Sequence, residues 1–398
     1  MVHRDFFMMY RTFSSLKKII FTVFILFIAS SLKAQDTTYE WKSFFYESYY
    51  LGFKKQIPLR SHWFALSMSK NVVDLQELSY GLDAILAMYE ATDSSSYLDD
   101  AIVITDNVID SSQPSDQIQG NLSGFKDNFR TWIERSPSEP SIYYKETVLS
   151  EIYFFQYVTR LLKDIDKNNG LMKDRHYRNF YDETLRFVET NIWDKWQTRG
   201  RRINNSNAYL LLGRTHMASH WAYIAAELSF LTIDEARKSK YLDFVNLYNR
   251  ELENNFHRYG SYISWSQTWG GANQIPGAIQ DVSHANLVVS YIVEAYDLGL
   301  WTDSDVIQRL IKTVKDILWD PQNCLFRDNI DGTMFPIGYK GSVGSFQSDG
   351  FVKLTRYDKS LFSIYEKFVS CSKYLTAWMQ EGQLFANLAL SRKLFNAK

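Results

Sequence analysis

The chain has 398 residues, 45% of them hydrophobic and 16% aromatic, with 44 Lys and Arg against 45 Asp and Glu for a formal net charge of −1. A chain this near to neutral lacks the basic field that nucleic acid or an anionic membrane surface selects, which argues against both as partners. Two cysteines, Cys324 and Cys371, do not make a disulfide framework, although an exported chain can pair them.

At the start, Lys17 and Lys18 precede the apolar run "IIFTVFILFIASS", then "LKA" and Gln35. A basic flank, a short apolar core and a small residue at the cut read as a secretory signal peptide over 1–34. The run is short for a spanning helix. The mature chain, 35–398, is expected in the periplasm or outside the cell.

From there helical periodicity dominates. Amphipathic spacing predicts helices near 40–55, 72–92, 96–109, 143–166, 175–194, 207–231, 234–256, 282–299, 303–318, 359–375 and 377–395. "LTID" and "WTDSD" offer Asp or Ser caps for the segments opening at 234 and 303. "SYISW" and "GTMFPIGY" are the best candidate strands. Two irregular stretches, roughly 110–142 and 320–357, read as loops over a cleft, since long irregular loops in a compact domain are usually functional or disordered. No fixed-period motif repeats and no Pro/Ser-rich linker divides the chain. The reading is one all-α domain, an α/α toroid of about six or seven helical hairpins.

The stretch "RTHMASHWAYIA" carries the first chemistry. On a helical wheel, Tyr209, His216, His220, Tyr223 and Glu227 fall within about 60° of one another, amid Leu210, Leu211, Met217, Ala222, Ala225 and Ala226. A helix apolar nearly all round with one narrow polar seam is buried, with the seam turned inward. The plain alternative is a pair of satisfied core histidines. Further on, "QDVSHANLVV" places Asp281 as a helix cap and His284 in the first turn.

Between them, "HRYGSYISWSQTWGGANQIPG" supplies Arg258, Tyr259 and Tyr262, with Trp265 and Trp269 as candidate sugar platforms. Arg214 opens the histidine segment, "KLTRYDKS" adds Arg356 and Tyr357, and Tyr144 stands near a helix start with Glu146. Two inventories compete. A glycosidase needs two carboxylates at a set separation; Asp83, Glu146, Glu227 and Asp281 are available without an evident pairing. A β-eliminating lyase needs Asn, His or Arg against a uronate carboxylate and Tyr or His to move protons, and the His, Tyr, Arg and Asn content fits that list better. Histidines at i and i+4 can also clamp a divalent metal, with Asp281 or His284 as a further ligand. There is no HExxH pattern, and no cofactor is expected.

The phrases "INNSNAYLLLGRTHMASHWAYIAAELS", "DVSHANLVVSYIVEAYDLG" and "ELSYGLDAILAMYEAT" resemble inner helices of the exported α/α-toroid lyases of alginate and glucuronan, polysaccharide lyase family 38 above all. That resemblance implies cleavage of an acidic polysaccharide by β-elimination. Asn207 with His220 or His216 would neutralise the carboxylate, Tyr262 or Tyr259 would transfer the proton, and Arg356 or Arg258 would assist. The rivals are a toroid glycoside hydrolase acting on mannan or unsaturated uronyl substrates, with Asp83 and Asp281 as acid and base, and a glycan-binding protein without turnover.

Overall fold

The computed structural model describes residues 37–52, 57–137, 140–204, 213–269, 278–335, 343–372 and 378–397. The segment expected to be a signal peptide, Asn207 and Tyr209 lie outside them. In chain order the helices are α1 (Thr37–Tyr46, running on to Leu51), α2 (Leu59–Ser67), α3 (Asp74–Thr92), α4 (Ser95–Ser111), α5 (Val148–Asp166), α6 (Asn169–Lys173), α7 (Arg175–Phe187), α8 (Lys195–Asn204), α9 (Thr215–Leu231), α10 (Glu235–Asn255), α11 (Val282–Asp297), α12 (Ser304–Lys312, running on to Leu318), α13 (Gly350–Lys353, tightening to Arg356), α14 (Ser360–Cys371) and α15 (Trp378–Asn396). Their starts obey local chemistry. Asp234 accepts from the amides of Ala236 and Arg237, and Asp303 from that of Asp305, so both act as the caps that the sequence offered.

Six of these helices close a ring. α3 packs on α5, α5 on α9, α9 on α11, α11 on α13, α13 on α15, and α15 returns to α3. Around it α4 lies on α3, α7 on α5, α10 on α9, α12 on α11 and α1 on α15. The fold is therefore an all-α toroid of the expected class. Burial follows position: every residue of α5 from Ser150 to Lys163 is buried, whereas outer α12 buries only the stripe Val306, Ile307, Leu310 and Ile311.

The inner helices run in one direction. Early residues meet early residues, as His216 of α9 meets His284 of α11, and late ones meet late ones, as Lys163 of α5 meets Glu227 of α9 and Glu294 of α11. All inner N-termini thus share one end. The turns leaving the inner helices, such as 93–94, 167–168 and 232–234, are short, while four of the six connections entering them, 112–147, 205–214, 256–281 and 319–349, are long. The loops therefore gather at a single mouth, and the opposite end is closed by tight turns.

Four helices escaped the periodicity: α2 and α6 are short, α8 follows the end of the predicted 175–194, and α13 sits inside the stretch read as a loop over 320–357. Gly350 explains how so short a helix can complete the ring. A Cβ there would overlap the Asn286 carbonyl oxygen and the Ser290 amide nitrogen of α11 and lie 2.7 Å from the Val289 carbonyl carbon, so only glycine allows this approach. A short antiparallel pair, β1 (Gln113–Pro114) and β2 (Arg130–Thr131), lies in the loop 112–147, and "SYISW" does contain a strand, β4 (Tyr262–Trp265), paired antiparallel with β3 (Phe256–Tyr259). Within "GTMFPIGY", residues 332–335 are not strand, and 336–339 lie outside the described residues. Cys324 and Cys371 form a disulfide between the loop 319–349 and the end of α14.

The axis is filled with charge. Asp83 of α3 meets Arg160 at 2.5 Å and Lys353 at 3.1 Å, and accepts from Gln383 and Asn387 at 2.8 Å each. Lys353 and Tyr157 both donate to Asp349. Lower down, Lys163 bridges Glu227 (2.6 Å) and Glu294. Burial opposes ionisation of Asp83, yet Lys353 and Arg160 hold its carboxyl below the usual range.

Candidate functional site

At the mouth, the first turns of α9 and α11 bring three imidazoles together. Asp281 caps α11, accepting the His284 amide at 3.1 Å through Oδ1. Its Oδ2 takes the His284 ring Nδ1 at 2.7 Å, and the His284 side chain keeps 41% of its surface exposed. Burial works to raise the Asp281 carboxyl, but the His284 bond and charge, with help from Ser283, hold it well below the ordinary carboxylate range. Asp281 is thus both the cap and the orienting anion of an exposed imidazole.

His216 lies ring to ring with His284, centroids 4.1 Å apart. His220, one turn deeper, stacks on the Tyr153 ring at 4.0 Å and bonds Gln156 Oε1 through Nδ1 at 2.8 Å. Both deeper rings are sealed: His216 is 3% exposed and His220 is 0%. Burial, with the neighbouring His284, drives His216 well below the usual imidazole value and His220 down to about 3. They are neutral at physiological pH. His216 Nδ1 and His220 Nε2 are buried without hydrogen-bond partners.

The seam predicted on α9 does face the axis, since His220, Tyr223 and Glu227 reach Gln156, Glu294 and Lys163 in turn. It opens onto packed side chains more than onto a hollow. The two histidines also diverge, His220 toward α5 and His216 toward α11, so they do not form a clamp. Among the described residues no three His, Cys, Asp or Glu side chains converge on a point where a metal ion could sit.

Several other candidates are placed elsewhere. Arg258 pairs with Asp303 and Asp305 at the start of α12, and Arg309 donates to Gly260 O. Because α12 begins at the closed end, the tip of the β3–β4 hairpin hangs down the outer wall. Tyr259 and Tyr262 stack on each other there, centroids 5.4 Å apart, away from the imidazoles. Trp265 is fully buried against Phe256 and is core, with no face for a sugar. Arg356 and Tyr357 both bond Asp297, the last residue of α11, at the closed end. Glu146 is locked by Arg199 at 2.5 Å and anchors the loop 112–147.

The rim keeps the remaining candidates. Arg214, exposed, bridges to Thr268 just before α9. Half-buried Trp269 meets Tyr248 at right angles. Tyr144, with φ of 55°, stands on Tyr143 in the first loop. Sequence reading missed Tyr153 and Gln156. The signal was present in "EIYFFQYVTRLLKD", where Tyr153, Gln156, Tyr157, Arg160 and Lys163 form a polar seam at helical spacing like that of α9.

No family model matches the chain, and no curated protein matches it. A solved structure that aligns with it is an inactive variant of an α-1,6-mannanase of Salegentibacter sp. HEL1_6 in complex with α-1,6-mannotriose, at TM-score 0.44 and 12% identity, covering 84% of this chain and 97% of that one. That protein is a glycoside hydrolase and not a uronate lyase. The lyase expectation, with its acidic alginate or glucuronan substrate and its likeness to polysaccharide lyase family 38, is corrected accordingly. The geometry supplies a physical reason. The phenols and arginines assigned to elimination, Tyr259, Tyr262, Arg258 and Arg356, all lie away from the three imidazoles.

Proposed function

We propose that the chain is a carbohydrate-active hydrolase whose site is the loop-covered mouth of the toroid. One observation carries this reading: the solvent-facing His284 ring is held by an ionised Asp281 at 2.7 Å. In the neutral ring an Nδ1–H donated to a carboxylate leaves the Nε2 lone pair outward, the arrangement by which an aspartate readies a histidine to take a proton from water. Beneath that ring the neutral imidazoles, the Tyr153 phenol and the Gln156 amide are packed side by side and bring no cation to the site. A floor without a cation, beneath an ionised Asp281, favours uncharged glycans over acidic ones. The disulfide supports work in an oxidising compartment, consistent with export. No helix of the described residues is long and apolar enough to cross a membrane.

A second reading, glycan binding without turnover, is favoured by the ion pairs along the axis. Asp83, Glu227, Glu294 and Asp349 are each tied to a Lys or Arg, which leaves none of them to act with Asp281 as the two-carboxylate machine of most glycosidases. The deciding experiment incubates the mature protein with neutral and acidic polysaccharides and measures new reducing ends. Release from a neutral glycan, abolished in Asp281→Asn, supports the hydrolase. Retention of the glycan on the protein without release selects the binding protein.

A further inference from the structure

We infer that Gln280 is a positioning residue that fixes the orientation of the Asp281–His284 pair; the inference rests on the reading of that pair given above. Gln280 is fully buried. Its Nε2 donates to Asp281 Oδ2 at 3.1 Å, the oxygen that holds His284 Nδ1. Its Oε1 accepts from Thr215 Oγ1 at 2.9 Å, in the first turn of α9.

The backbone of the same residue is pinned twice. Its amide donates to Trp265 O at 3.0 Å, and its carbonyl accepts from the Ile330 amide at 3.1 Å. Gln280 therefore joins β4, the start of α9 and the loop 319–349 at one point, and directs a donor from there at the carboxylate. The other oxygen of Asp281 is held by Ser283 Oγ at 2.6 Å and the His284 amide at 3.1 Å. With donors on both oxygens the carboxylate cannot turn about its Cβ–Cγ bond. It must present Oδ2 to His284, which selects the Nδ1–H tautomer.

Removing the Gln280 side chain's polar end frees Oδ2 on one side and leaves the Thr215 hydroxyl only the Ser266 and Gln267 carbonyls, at 3.4 Å each. The ring of His284 is then expected to populate both tautomers. A space-filling role would alter stability and leave the tautomer alone, so the two roles separate experimentally.

The test is nitrogen-15 NMR of histidine-labelled full-length protein, read as the ratio of the two tautomers in the neutral His284 ring. The wild type should show the Nδ1–H form predominating, and Gln280→Leu a mixture. Gln280→Met keeps the length and removes the donor and the Thr215 acceptor, so its ratio, read like the others at a pH where the ring is neutral, should also be mixed. On a hydrolysable glycan, kcat of either variant should fall on the order of tenfold with KM held. A wild-type ratio in either folded variant overturns the assignment. Should the leucine variant not fold, the methionine variant decides. If wild type turns over no glycan, the hydrolase reading fails while the tautomer ratios still judge Gln280.

Discussion

His216 and His284 stand ring to ring across α9 and α11, 4.1 Å between centroids, yet one is sealed and the other reaches solvent. Two imidazoles this close cannot both carry a proton without repulsion in a poorly hydrated place. The buried rings therefore stay neutral, leaving the exposed one as the member able to exchange protons with the mouth. That division has a consequence for stability. In the unfolded chain each histidine titrates near 6.5, whereas folded His220 titrates at about 3. Between those values the unfolded chain binds the proton and the fold does not, so stability is complete above about pH 6.5 and is lost as the pH falls toward 3. The loss from His220 alone is on the order of 4 kcal/mol by the lower limit. Urea midpoints measured between pH 6.5 and 5, above the main carboxylate range, should drop in the wild type and drop less in His220→Gln. Parallel curves would show that the ring is not held neutral.

Lys163 should be the costliest charge to remove. Its ammonium stands between Glu227 and Glu294 in the lower axis. Burial already pushes Glu227 well up, while Lys163 keeps Glu294 low. Lys163→Met leaves two buried carboxyls facing each other with no cation between them, for an expected loss of about 3–5 kcal/mol in chemical denaturation. Adding Glu227→Gln removes the repulsion and should recover part of it. A single variant as stable as wild type would mean that water or another cation replaces the ammonium.

These examples mark what was legible in the sequence. The α9 seam from His216 to Glu227 was visible because an otherwise apolar helix had polar groups at helical spacing, and the Asp281 cap because of its place before an apolar run. Where each seam points was not visible. Arg258, Tyr259 and Tyr262 looked like mouth residues because they lie between α10 and α11 in the chain, but a hairpin that folds back along the outer wall carries them off. Arg356 was misplaced for a related reason: it ends a short inner helix made possible by one glycine contact, and seven helical residues, the last three of them tightened, leave too little periodicity to read. Asp83 looked available to a substrate because its partners, Arg160 and Lys353, are 77 and 270 residues away. Pairing at that distance in the chain leaves no local mark.

Gly350 gives a direct test of ring closure. Gly350→Ala places a methyl group against the α11 backbone at Asn286 and Ser290, where no rotamer can relieve the overlap. The expected cost is about 3 kcal/mol, the upper end for overpacking, because a helix and not a side chain must move. Displacing α13 also shifts Lys353 and Asp349, so their ion pairs in the axis should weaken together with the packing. An alanine variant matching wild type in melting temperature would show that α13 does not pack this closely.

The disulfide should matter most for the same part of the ring. Cys324 and Cys371 are 47 residues apart and enclose most of the loop 319–349, with α13 and α14. The one inner helix too short to hold itself in place is thus inside the cross-linked segment. Constraining a loop of this length in the unfolded chain is worth about 4 kcal/mol on the chain-entropy estimate, of which native bridges commonly deliver 2–4. Reduction under native conditions, or Cys324→Ser with Cys371→Ser, should lower the denaturation midpoint accordingly. Hydrogen exchange should then rise first in 343–372, while α5 and α9, buried on every side, keep their protection. If exchange instead rises evenly through α5 and α9, the bridge stabilises the toroid as a whole rather than guarding its shortest stave.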